Sequence, residues 1–343
     1  KKKIFLNSNF FIINITKCSF GIESRKCSSA FYLFNILVKM NLLLDKYKII
    51  DNIYTIESSD PNFLKIQNFY HKNPFPNYES FEDRLSIIKK GDNNDLVKSL
   101  KKKIGFNKTV LEVGSGTSQL SNYLAIGTNN QIYALDASVE SLKLGSNFAK
   151  KNKIENVYFV NGNIFDDIFK FEKFDFILCN GVLHHTGDTF RAFTQILKYL
   201  KKDGYIILGL YNKIGRFRTN IRRLLFKFFG KKIIHILDPV VRELKKREKI
   251  NQNKIDAWIQ DQYEHPIEDQ HLIDDVIREF NSNEIEYISS VPNMNADIYN
   301  SHDYFNKQNF GGFFTRIFKQ LIMNFQKYGK EGGLFIVIGK KCI

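Results

Sequence analysis

The stretch Val110-Leu111-Glu112-Val113-Gly114-Ser115-Gly116-Thr117 constrains this chain more than any other. A short apolar run ends in two glycines, and Leu120, Tyr123 and Leu124 follow at helical spacing. Strand, glycine turn and helix in that order form a nucleotide-binding βα unit. Gly114 and Gly116 let the main chain turn sharply and leave no Cβ between backbone and ligand. Glu112 sits at the strand end, where a phosphate would be repelled. A dinucleotide fingerprint also needs a third glycine, and Gln119 occupies its place. The turn therefore suits a ligand that carries positive charge and no phosphate.

With its E-x-G-x-G order, this stretch resembles the first motif of the class I S-adenosylmethionine-dependent methyltransferases. The resemblance implies S-adenosylmethionine as cofactor, its ammonium and sulfonium groups near Glu112 and its body over Gly114, Ser115 and Gly116. The next strand, Gln131–Asp136, ends in an acid 20 residues beyond Gly116, the spacing at which a carboxylate meets ribose hydroxyls. A third strand, 156–161, leads into Gly162-Asn163-Ile164. The family usually has an acid after that glycine, accepting from the adenine amino group. Here Asn163 takes that position with an amide oxygen, and Asp166 is the substitute candidate. The run Phe174 to Asn180, followed by Gly181 and Leu183-His184-His185, resembles the family's fourth motif and puts Asn180 in the cofactor cradle.

Asp188 is placed to cap a helix with Phe190, Phe193, Ile196, Leu197 and Leu200 on one face, closed by Lys201, Lys202 and Gly204. Tyr205–Tyr211 is then a fifth strand, 285–291 a sixth and 334–339 a seventh. Strands alternating with helices imply an α/β fold, a doubly wound Rossmann-like sheet. Seven strands with a terminal antiparallel hairpin are expected, with a helical insertion, 212–270, between strands five and six. The hairpin and Gln119 speak against the rival reading, an NAD-dependent oxidoreductase. The domain reading is a leader at 1–39, a helical or lid segment at 40–107, and the methyltransferase domain at 108–343.

Within the insertion, Phe217, Ile221, Leu224, Leu225 and Phe228 share a helical face, with Arg218, Arg222 and Lys227 away from it. Such a helix either covers the core with its apolar face or grips anionic membrane or RNA. The second alternative makes Arg216, Arg218, Arg222 and Arg223 the contacts, and 216–232 the working element of a non-catalytic protein of the same fold. His265 and His271 with nearby acids lack the H-E-x-x-H spacing of a metal site, and Pro266 interrupts any helix there. No metal is expected; a polar wall to the substrate pocket is. The stretch 69–78, with Pro74 and Pro76 forcing an extended path, reads equally as a lid or as a surface loop.

The chain has 343 residues, 43% hydrophobic and 14% aromatic, which excludes disorder over most of its length. The formal charge of +15 reflects a composition rich in lysine throughout. Residues 1–39 hold seven Lys/Arg and one acid, and contain no Met. Polar interruptions make them a poor signal peptide, and the expectation is that the authentic chain starts at Met40. The four cysteines have neither metal-ligand nor redox spacing, so a reducing, cytoplasmic setting is the default. For catalysis, His185 and Tyr211 are the candidates, with His184 an alternative, because they stand at strand ends facing the expected methyl group. The acceptor is read as a small molecule or lipid-like rather than a macromolecule.

Overall fold

Runs of Val, Ile, Leu and Phe bounded by turn residues form parallel strands buried on both faces. In the computed structural model, residues 42–44, 47–71, 82–246, 252–294, 303–325 and 333–342 are described. The leader 1–39 and positions 72–78 of the proline stretch lie outside them. The chain divides into two units, Lys1–Leu44 and Asp45–Ile343; all that follows concerns the second.

Its strands are β1 (Lys48–Ile50), β2 (Ile53–Thr55), β3 (Thr109–Val113), β4 (Gln131–Asp136), β5 (Val157–Asn161), β6 (Phe174–Asn180), β7 (Leu200–Tyr211), β8 (Ile285–Val291) and β9 (Leu334–Lys341). Ahead of β3 come α1 (Pro61–His71), α2 (Arg84–Asp92) and α3 (Asp95–Ile104). The crossovers hold α4 (Gln119–Ala125), α5 (Val139–Lys151) and α6 (Thr189–Leu197). The insertion supplies α7 (Phe217–Phe229), α8 (Lys231–Leu237), α9 (Pro239–Lys245) and α10 (Gln252–Ile259). Then α11 (Ile273–Ser282) and α12 (Phe313–Ile322) flank β8.

Among the described residues, nine strands form one sheet in the order β1-β2-β5-β4-β3-β6-β7-β9-β8. From β2 to β7 neighbouring strands are parallel, and β9 runs antiparallel between β7 and β8. The seven expected strands and the terminal antiparallel pair are present. The two additional strands are a hairpin whose turn, Asp51-Asn52, has both φ positive, 52° and 63°. That geometry matches the twist of a two-residue hairpin loop. Strands of three residues carry too short an alternation to register as strand, which is why helix and loop were expected there.

Two expectations need correction. Asp188 does cap α6, accepting from the Arg191 N–H at 3.1 Å, but the helix stops at Leu197. Leu200 already pairs with Phe174, and Lys201–Gly204 belong to β7, with Asp203 at φ 61° beside a register shift. Basic residues followed by glycine imitate a helix end, whereas here they lie at a strand irregularity.

The second correction concerns α7. The insertion makes its own core from Ile234, Val241, Leu244, Ile255, Trp258, Ile259 and Tyr263, with Phe226 packed against it. Asp238 caps α9 and accepts from the Tyr263 hydroxyl at 2.5 Å and the Trp258 indole at 3.3 Å. The expected inward face of α7 is instead the exposed one, including Phe217, Ile221, Leu224 and Phe228. Arg216 at its N-cap, Arg222 and Arg223 turn inward, because buried acceptors are there to receive them. Arg216 is fully buried, Arg222 donates to the Tyr263 hydroxyl at 3.0 Å, and Arg223 reaches Glu268 at 2.6 Å. Of the four arginines proposed to grip membrane or RNA, Arg218 alone is exposed. Among the described residues, no helix is long and apolar enough to cross a membrane.

Candidate active site

The parallel strands change direction of winding between β3 and β6, and a ligand crevice opens at their carboxyl ends at such a point. A cavity of about 440 Å³ lies there. Glu112, Gly114, Ser115, Gly116, Asp136, Asn163, Ile164, Asn180, His185 and Tyr211, distant in sequence, all line it. His184 does not; it is buried behind, its ring 4.0 Å from that of Tyr211, with neither ring nitrogen hydrogen-bonded.

Gly114 has φ +67°, and a Cβ there would run into Val182, so this position admits glycine alone without strain. The turn's amides point back into the protein. Gly114 and Ser115 both donate to the Leu135 carbonyl, at 2.8 and 3.0 Å, and Gly116 donates to Asp136 Oδ2 at 2.7 Å. A phosphate-binding loop needs such N–H groups directed at its ligand, and here they are already engaged. The turn shapes the cavity without forming an anion site.

The lining holds four acids, Asp60, Glu112, Asp136 and Asp261, and among the described residues no Lys or Arg. Glu112 Oε2 accepts from the Ser121 N–H at 2.9 Å and from the Ser121 hydroxyl, tying the end of β3 to the start of α4. Burial pushes its pKa up to about 7 against those hydrogen bonds, and Asp136 adds to the rise. Asp136, on the neighbouring strand, is pushed up to about 6 by burial, although Ser138 and Gly116 donate to its carboxylate. Carboxylates held against their ionisation in a cavity without a cationic side chain are complementary to a cationic ligand. S-adenosylmethionine fits this set, with Glu112 and Asp136 as the acids that would hold it.

At the far end, Asn163 departs from the expected use of its oxygen. Its Oδ1 accepts from the Phe165 N–H at 3.2 Å, while its Nδ2 donates to Asp60 Oδ2 at 3.2 Å and to the Ser58 hydroxyl at 3.3 Å. The acid at this end of the cavity is Asp60, which precedes α1; Asp166 is not in the lining. Sequence reasoning missed Asp60 because it lies about a hundred positions from Asn163. An Asp-Pro pair opening a helical run was the available signal.

The other wall comes from the insertion and α1. Tyr70 donates to Asp261 Oδ1 at 3.0 Å, and Gln262 donates both to Asp261 Oδ2 at 2.9 Å and to the Tyr211 hydroxyl at 2.7 Å. Burial raises the pKa of Asp261. The described part of the stretch 69–78, Phe69 to His71, is the end of α1, and its Tyr70 faces the cavity. After the turn at Gln260–Glu264 the chain is extended at His265, before Pro266. The Ile267 carbonyl then accepts from His185 Nδ1 at 2.8 Å. A carbonyl only accepts, so His185 carries its proton on Nδ1 and offers Nε2 as a lone pair. Burial lowers the His185 pKa to about 4. The His265 ring lies 3.8 Å from that of His185 and is pushed down to about 3, first by burial and then by His185.

Arg216 anchors this wall from behind. Its guanidinium lies 3.5 Å over the Tyr211 ring, pairs with Glu268 through two hydrogen bonds of 3.1 and 2.9 Å, and donates to Gln262 at 3.0 Å. Replacing Glu268 by Leu leaves this buried cation without its carboxylate. It is expected to destabilise the protein by about 3–5 kcal/mol, read as a lower urea midpoint. Removing the exposed Lys307–Glu286 pair should leave that midpoint essentially where it is, because water and salt screen such a pair.

A family model described as a methyltransferase domain matches residues 104–235. The Bacillus subtilis "Uncharacterized methyltransferase YcgJ" is 32% identical over 100 residues, 29% of this chain and 39% of that protein. The mitochondrial ubiquinone biosynthesis O-methyltransferase of Candida albicans is 27% identical over 157 residues, 45% of each. The matches thus span less than half the length of these curated relatives. Among solved structures, PKMT2 from Rickettsia typhi superposes with a TM-score of 0.50 at 17% identity, covering 68% of this chain and 48% of that one, a likeness of fold. Residues 104–235 thus carry a methyltransferase domain of the class I, S-adenosylmethionine-dependent kind.

Proposed function

We propose that the protein methylates a small, uncharged, lipid-like acceptor bearing a hydroxyl group. The observation that carries this reading is the cavity itself, with Glu112 and Asp136 on one side and His185, Tyr211 and Tyr70, the last donating to Asp261, on the other. Four acids without a lining cation disfavour a phosphorylated or carboxylated acceptor. Similarity to proteins named as a ubiquinone biosynthesis O-methyltransferase and a demethylmenaquinone methyltransferase supports the same class.

S-adenosylmethionine supplies a methyl group already activated by its sulfonium. In this reading Glu112 neutralises and orients the cationic end, Asp136 meets the ribose hydroxyls, and Asn163, Ile164 and Asp60 bound the adenine end. The chain's remaining task is to position the acceptor in a dry site, worth about 7–11 kcal/mol in favourable cases. His185 Nε2 accepts the hydroxyl proton, with Ile267 holding the ring in that tautomer. Tyr211 and Tyr70, each fixed by a buried partner, set the acceptor's angle.

Incubating the full chain with methyl-tritiated S-adenosylmethionine and fractionated cell extract tests this. Label is expected in material that partitions into organic solvent. Label confined to precipitated protein or RNA would overturn the acceptor class, and no transfer to any fraction would overturn the activity.

A further inference from the structure

The exposed face of α7 has a counterpart elsewhere. Phe217, Ile221, Leu224 and Phe228 occur at spacings of four, three and four, and Phe314, Phe318, Leu321 and Phe325 repeat that pattern on α12 and its following turn. Each set is a straight stripe along one helix face. Phe314 is 84% exposed, Phe325 81% and Phe228 75%. The two stripes meet end to end. Arg218, beside Phe217, donates to the Asn324 carbonyl at 3.2 Å, and Asn324, beside Phe325, donates to the Ile214 carbonyl at 2.9 Å. Phenylalanines this exposed, in one run over two joined helices, mark an interaction surface.

Charge selects the partner. Positions 204–237 hold eight Lys/Arg and no Asp or Glu; Arg216 and Arg223 pair inward with Glu268, and Lys231 pairs with Glu264. Arg218, Lys227, Lys231 and Lys232 are exposed around the α7 stripe. A second copy of the chain would bring lysine against lysine. An anionic phospholipid surface satisfies both features, because phenylalanines enter the acyl boundary while the basic side chains meet headgroups. We propose that α7 and α12 form a docking face for anionic membrane. Apolar insertion drives it and Arg218 and the flanking lysines assist it, whereas Arg216, Arg222 and Arg223 bond inward. This surface does not depend on which acceptor is methylated, so it is tested without cofactor.

The full chain is sedimented with vesicles of phosphatidylcholine alone or of phosphatidylcholine with phosphatidylglycerol. Binding is expected to the anionic vesicles and to weaken with salt. The double substitution Phe228→Ser and Phe314→Ser should reduce it on the order of tenfold or more, with the thermal midpoint unchanged because both side chains are already in water. Failure to sediment with anionic vesicles overturns the proposal, as does undiminished binding by the double variant. Ultracentrifugation showing a dimer that these substitutions dissociate assigns the face to a second copy and overturns it equally.

Discussion

Replacing Glu112 by Gln is expected to weaken S-adenosylmethionine binding by roughly 10- to 100-fold, the loss of one charge-assisted contact. The same substitution should make the ligand-free protein more stable at neutral and alkaline pH. Both effects come from one carboxyl that burial has raised from 4.5 to about 7. A carboxyl raised on folding contributes stability that is fully present below pH 4.5 and lost as pH rises through about 7. The loss amounts to about 3 kcal/mol for a shift of this size. The Gln oxygen still accepts from Ser121, so the link between β3 and α4 survives. The melting temperature of the wild type should therefore fall between about pH 5 and 8, and that of the variant should fall less. A bound cation favours the ionised carboxylate, so wild-type affinity strengthens over the same window and binding near neutrality releases a proton. Calorimetry in buffers of different ionisation enthalpy measures that proton directly. Unchanged affinity together with an unchanged pH profile would remove Glu112 from the cofactor site.

That Glu112, Gly114, Asp136 and Asn180 would meet at one cavity was legible because they are local to strand ends. Glu112, Gly114, Asp136 and Asn180 each terminate or follow a strand whose apolar run announces it, and parallel pairing brings strand ends to one edge. Asp60, Tyr70 and Asp261 had no such marker. Each reaches the cavity through a packing arrangement of helices, α1 on the sheet and the turn at Gln260–Glu264 over it, that periodicity does not encode. The face of α7 failed for a related reason. A hydrophobic stripe indicates which residues are alike, but not whether the surface they meet is protein or something outside the chain. Here the buried partners Glu268, Tyr263 and Gln262 pull the arginines inward. Hydrogen-bonded burial of polar groups then outweighs the transfer of the phenylalanines, because an unpaired buried Glu268 costs more than exposed carbon.

His185→Asn separates chemistry from binding. An Asn at this position keeps a donor for the Ile267 carbonyl and removes the Nε2 lone pair. With the acceptor saturating, kcat is expected to fall about 10²- to 10⁴-fold, the usual range for a lost general base. S-adenosylmethionine affinity should change by about threefold or less, because the cofactor is held by Glu112 and Asp136 rather than by His185. The pH profile adds an independent readout. His185 titrates at about 4, so it is neutral and proton-accepting throughout the physiological range, and its ionisation contributes no slope there. The rise of kcat/KM through pH 6–7 should follow Glu112 and Asp136, at about 7 and about 6, and should persist in His185→Asn at a lower level. Tyr211→Phe, which removes the hydroxyl that receives Gln262, should raise KM for the acceptor more than it lowers kcat. If His185→Asn retained full kcat, proton removal would not limit the reaction, and placement of donor and acceptor between the acids and the tyrosines would have to supply the rate alone.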